Sequence, residues 1–183
     1  MLNKRVLKKF SWLLDSSPER EEDLHQFLFN HPVLLDPLTT EIRSKHELGD
    51  DFKPDFVIRR MSDEYCVVEL ENSKDKLFTK KGAFTSSLIE AISQVRDFQG
   101  WIADNIAYAQ AKLPGIRHPE GLVVIGRNLD LSDSMRKRLE EENFSRRSYI
   151  KIVTYDDLMI QAGAIYKNIF EKPISFKGKI RIN

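Results

Sequence analysis

The stretch from residue 54 to residue 71 narrows the possible folds of this chain more than any other. Two runs rich in β-branched and aromatic residues, Pro54-Asp55-Phe56-Val57-Ile58-Arg59-Arg60 and Tyr65-Cys66-Val67-Val68-Glu69-Leu70-Glu71, flank the polar segment Met61-Ser62-Asp63-Glu64. That is the pattern of an antiparallel hairpin. Tight pairing about a turn at residues 62–63 makes opposing residue numbers sum to 124 or 125. With a sum of 124, Asp55 faces Glu69, and Glu71 shares their side through the two-residue period of a strand. Phe56 then opposes Val68, and Ile58 opposes Cys66, on the other face, where an apolar layer can cover the sheet.

The rest of the chain supplies that cover. Val6, Leu7, Phe10, Leu13 and Leu14 follow helical spacing over residues 5–14. Ser16 or Ser17, then Pro18 and the acidic run from Glu19 to Asp23, read as the start of a second helix. It buries Leu24, Phe27 and Leu28 and stops near Asn30, because His31 precedes Pro32. Alternation of Ile42, Ser44, His46 and Leu48 predicts a strand from Thr40 to Leu48, ended by Gly49. Leu88, Ala91, Ile92, Val95, Phe98, Trp101, Ile102 and Ile106 predict one long helix between Thr85 and Tyr108. A buried strand over 121–126, a charged helix from Leu129 to Phe144, a strand from Tyr149 to Val153 and a helix from Asp156 complete the order. The expected class is α/β (α+β): a mixed central sheet flanked by helices. A chain of 183 residues suits a single domain over 1–183.

Composition removes several function classes. With 29 Lys and Arg against 28 Asp and Glu, the net charge is +1, so any surface for a polyanion must be local. The single Cys66 forms no internal disulfide, and His25, His31, His46 and His118 lack metal-ligand spacing, which argues against zinc. No Gly-rich phosphate loop or nucleophile elbow is present. No run of about 18 apolar residues occurs and the start has no signal-peptide block, so a cytoplasmic protein outside the membrane is expected.

The chemistry is expected at the hairpin. Three carboxylates on one strand end, Asp55, Glu69 and Glu71, repel one another unless a cation intervenes, and Mg²⁺ takes one or two carboxylates plus water and phosphate oxygens. Acidic strand ends can also be merely solvated. Lys74, Lys76, Lys80 and Lys81 follow Glu71 in a loop with Leu77 and Phe78, and could clamp phosphates beside the ion.

Pro54-Asp55, fourteen positions before Glu69 in Val67-Val68-Glu69-Leu70-Glu71, resembles the bipartite signature of the PD-(D/E)XK nucleases. The likeness extends to Glu21-Glu22-Asp23-Leu24 with Phe27-Leu28 and Asn30-His31-Pro32, to Leu48-Gly49-Asp50, to Gln94 within Ala91-Ile92-Ser93-Gln94-Val95, and to Thr154-Tyr155-Asp156-Asp157-Leu158. Together these resemble the C-terminal domain of the Shedu anti-phage protein family, from about Glu19 to Ala164. The resemblance implies a restriction-endonuclease-like core and a metal-dependent DNA endonuclease of prokaryotic defence, using Mg²⁺ or Mn²⁺. It makes Asp55 and Glu69 metal ligands, adds Glu21 as a further carboxylate and places Gln94 along the site. The family pattern has a lysine two residues after the glutamate, where this chain has Glu71. Lys74 or Lys80 could replace it, or Glu71 could act as a ligand or general base. Otherwise the domain would bind nucleic acid or a partner protein without cleaving. The charged helix up to Phe144 is a candidate contact between copies of the chain.

Overall fold

The computed structural model describes residues 2–16, 21–48, 53–145 and 149–171. The expected cap at Ser17 and Pro18, the side chain of Glu21, the stop at Gly49 and the tail past Pro173 lie outside these residues.

Five strands form one sheet in the order β1-β2-β3-β4-β5, with β1 Thr39–Ser44, β2 Phe56–Arg60, β3 Tyr65–Leu70, β4 Glu120–Val124 and β5 Ile150–Val153. The first three are antiparallel neighbours, whereas β3, β4 and β5 run parallel. The sheet is therefore mixed, as expected. Phe56 pairs with Val68, Val57 with Val67, Ile58 with Cys66 and Arg59 with Tyr65, so the hairpin keeps a sum of 124.

Alternation along the strands divides the core in two. Phe56, Ile58, Cys66, Val68, Leu70, Leu122 and Val124 face α1 (Lys4–Asp15), α2 (Glu21–Asn30) and the last helix, α6 (Tyr155–Tyr166). Val57, Tyr65, Val67, Val123, Ile150 and Ile152 face α3 (Ser86–Asp104), α4 (Ile106–Lys112) and α5 (Asp133–Ser145). Both faces are covered, which is what a sheet with a parallel half requires. Local signals start the helices. The Asn3 side chain accepts the Val6 N–H at 3.0 Å, the Thr85 hydroxyl caps Leu88, and Thr154 with Asp157 forms a reciprocal capping box for α6.

Two elements differ from expectation. The first strand ends at Ser44 instead of reaching Leu48, because Lys45 takes a left-handed conformation at φ 47° and turns the chain away. The single long helix is two: Asn105 leaves helical geometry at φ −119° and ψ 34°, and its side-chain amide donates to the Trp101 carbonyl at 3.0 Å. An Asn side chain that bonds its own backbone competes with the helix. The chain restarts as α4 and runs to Lys112, past Tyr108.

Candidate active site

The parallel strands end together at Leu70, Val124 and Val153, and the space outside the carboxyl ends of parallel strands is where open α/β sheets hold ligands. Asp55 enters this end from the antiparallel side. It precedes β2 by one residue, and continuing the register of the hairpin sets it opposite Glu69. One oxygen, Oδ2, accepts the Leu70 N–H at 2.9 Å, which ties the side chain to the partner strand. The Asp55 carbonyl accepts the Lys45 N–H at 2.9 Å from the other neighbour. Glu71 stays in the ladder, its N–H donating to the Val124 carbonyl at 2.8 Å, while its own carbonyl accepts the hydroxyl of fully buried Tyr155 at 2.8 Å.

Burial pushes the Glu69 carboxyl up to about 8, and repulsion from Asp55 and then Glu71 adds to it. Burial raises Asp55 as well, against the Leu70 N–H and the positive fields of His25 and Lys45. Two acidic groups in this contact cannot both ionise easily in the absence of a cation, so one of them retains a proton at neutral pH. A divalent ion would replace that proton. The donor set fits Mg²⁺ or Mn²⁺: two adjacent carboxylates supply hard oxygens, and water and phosphate can fill the remaining positions. Among the described residues no group of three or more His, Cys, Asp or Glu side chains is arranged to hold a metal. The protein would thus supply two oxygen ligands and leave the rest to solvent and substrate.

Two residues that the sequence did not single out belong to this site. His25 lies on α2 beside the buried stripe, is only 2% exposed and stacks on Phe56 at 4.4 Å between ring centroids. Its Nε2 is 3.6 Å from Asp55 Oδ1 and 3.5 Å from the Ser44 hydroxyl, and its Nδ1 is buried without a hydrogen-bond partner, 3.9 Å from Glu22. Lys45 is the second, its ammonium 3.3 Å from Glu22 Oε2. A histidine on the apolar edge of an acidic helix was the available signal for the first. Lys45 gave none, because it falls inside what reads as a polar alternation of a strand.

The other expected residues are placed as follows. Asp55 and Glu69 come together, and Glu71 acts on Glu69 through its charge. Lys74, Lys76, Lys80 and Lys81 are all exposed on the loop over residues 72–85, and among the described residues none forms an ion pair with Asp55 or Glu69. Gln94 is exposed on α3 and forms no hydrogen bond to Asp55 or Glu69. The loop is nonetheless a built object. Phe78 and Phe84 bridge as antiparallel neighbours, Thr79 N–H donates to the Ala83 carbonyl at 2.7 Å, and Lys80 and Lys81 occupy the corners of the turn closed by Gly82. Arg138 of α5 lies over the Phe78 and Phe84 rings at 5.9 and 5.3 Å and donates to the Gly82 carbonyl.

No helix among the described residues is long and apolar enough to cross a membrane. The family model for the C-terminal region of Shedu protein SduA matches residues 18–159 of this chain. No curated protein matches it.

Proposed function

The chain belongs to the Shedu SduA C-terminal family, and from that premise we propose that it is a metal-dependent DNA endonuclease of the PD-(D/E)XK type, acting in anti-phage defence. The observation that carries the reading is the side-by-side burial of Asp55 and Glu69 at the strand ends, with Glu69 pushed up to about 8. Perturbed carboxyl pairs of this kind are expensive to maintain unless something uses them. Family membership supports the place in defence.

In this reading Asp55 and Glu69 hold Mg²⁺ or Mn²⁺, and Glu71 adds negative charge beside them. When bound, the ion polarises the phosphodiester and lowers the pKa of a coordinated water. The side chains do the rest. The Leu70 N–H orients Asp55 Oδ2, leaving Oδ1 toward His25. Hydrolysis adds water across one P–O bond, leaving one phosphate monoester end and one hydroxyl end. The exposed lysines of the 72–85 loop bind flanking phosphates without reading bases.

Nicking of supercoiled plasmid tests this directly. Cleavage is expected with Mg²⁺ or Mn²⁺, none with EDTA, and a fall on the order of 10²-fold or more for Glu69→Gln with DNA binding retained. DNA left intact under both ions, together with a melting temperature that no divalent ion raises, would remove the nuclease reading. A second reading is favoured by Glu71, since the residue two places after the glutamate is an acid where the nuclease pattern has a lysine. The domain would then bind nucleic acid without cutting, and Glu69→Gln would strengthen DNA affinity by relieving repulsion.

A further inference from the structure

We propose that Lys45 is the catalytic cation of this site: its ammonium, steered by Glu22, meets the substrate phosphate beside the Asp55 carboxylate. The inference rests on the nuclease reading and deepens it by naming a residue for the positive charge that Glu71 cannot supply.

Strand register places Lys45 where this requires. Ile42 pairs with Ile58, Arg43 with Val57 and Ser44 with Phe56, so the next position sets Lys45 opposite Asp55. The Lys45 N–H donating to the Asp55 carbonyl at 2.9 Å confirms that step. Continued through the hairpin register, one row across the three strands reads Lys45, Asp55, Glu69. A lysine and two carboxylates thus sit in adjacent positions of a single row, although they are far apart in sequence.

The conformation of Lys45 sets its direction. A φ of 47° is uncommon for a residue with a side chain, and it redirects the chain at the point where a strand would otherwise continue. The ammonium reaches Glu22 Oε2 at 3.3 Å, and both side chains remain about half exposed. Glu22 also receives the Gln26 amide at 2.8 Å, which fixes the carboxylate that holds the lysine. The half-exposed ammonium is therefore open to a polymer that cannot enter the core.

The alternatives are less well placed. His25 is sealed beneath Asp55 at 2% exposure and cannot touch a phosphate. Among the described residues neither Lys45 nor a lysine of the 72–85 loop forms an ion pair with Asp55 or Glu69, but Lys45 is hydrogen-bonded to Asp55 through the backbone and its charge acts on that carboxyl. An ammonium beside the scissile phosphate stabilises the negative charge that grows on its oxygens during attack. Release from Glu22 to phosphate exchanges one anionic partner for another.

Lys45→Met, which keeps the length without the charge, is compared with Lys45→Arg and the parent. Plasmid cleavage is read as kcat and KM, duplex affinity is measured in Ca²⁺, and Mn²⁺ affinity is measured by calorimetry. Lys45→Met is expected to lose about 10²-fold in kcat with duplex affinity within about twofold, and Lys45→Arg to regain most of it. Without the neighbouring charge, Mn²⁺ alone should bind about threefold tighter to Lys45→Met. Parental kcat in Lys45→Met overturns the proposal, as does a Lys45→Arg variant no better than Lys45→Met, or unchanged Mn²⁺ affinity in a folded Lys45→Met protein. A parent that binds no Mn²⁺ and does not cleave DNA instead sinks the nuclease reading itself. A parent that binds Mn²⁺ without cleaving DNA overturns the proposal, because a site without turnover has no catalytic cation.

Discussion

At Glu69 burial and charge push the same way, and this makes the residue a sensor of its own occupancy. Its carboxyl is raised from the ordinary 4.5 to about 8 by burial first and by Asp55 and Glu71 next. A folded-state value above the unfolded one contributes stability that is complete below about pH 4.5, where both states are protonated. The contribution is lost as pH rises through about 8, where the folded group must also ionise. The melting midpoint of the metal-free protein should therefore fall between these limits from this source. Glu69→Gln, which cannot ionise, should flatten that part of the profile. Added Mg²⁺ should raise the midpoint more at pH 8 than at pH 5, because binding requires the deprotonated pair. Thermal melts of both proteins across pH 4–9, with and without Mg²⁺, check all three statements. An identical profile for Glu69→Gln would mean that Glu69 titrates as an ordinary surface acid.

At the scale of elements, the loop over residues 72–85 is held by its buried Leu77 and Phe78 side chains and, after β4, by close backbone contact. Gly126 follows β4 at φ 62°, its N–H donates to the Asn72 carbonyl at 3.2 Å, and a Cβ added there would collide with the Asp75 carbonyl and the Leu77 side chain. Gly126→Ala should cost about 1–3 kcal/mol in urea denaturation. If the loop shifts to make room, DNA binding should weaken as well. Gly126 was readable from sequence only as the flank of a strand, since its need for a positive φ comes from the loop it touches. The hairpin was fully legible, because a short polar turn between β-rich runs leaves few registers and the alternation of Phe56, Ile58, Cys66 and Val68 selects one. That register carried Asp55 and Glu69 with it. Lys45 and His25 were not legible, because one depends on a single left-handed residue at a strand end and the other on how α2 docks over Phe56. Asn105 is intermediate: the apolar spacing runs through it unbroken, and only its side-chain bond to Trp101 divides the helix.

For the whole molecule, the near balance of 29 basic and 28 acidic residues means that attraction to DNA must come from arrangement. The fold provides one. Lys74, Lys76, Lys80 and Lys81 are exposed on a loop that leaves the carboxyl end of β3 directly after Glu71. Arg138 is not available in the same way, since it lies over Phe78 and Phe84 and donates to Gly82, so α5 braces the loop. A duplex seated across the site would meet Lys80 and Lys81 as phosphate contacts, each releasing counterions. The slope of log Kd against log salt should then fall by roughly one for each of Lys80→Ala and Lys81→Ala, and by roughly two for the pair. Sequence preference should not change, because contacts to phosphate position a duplex without reading it. Fluorescence anisotropy with one labelled duplex between about 50 and 300 mM salt, where the Debye length is about 8 Å near the middle of the range, measures the slope. A double variant with the parental slope would place the DNA on another face and leave the Asp55–Glu69 pair without a route to its phosphate.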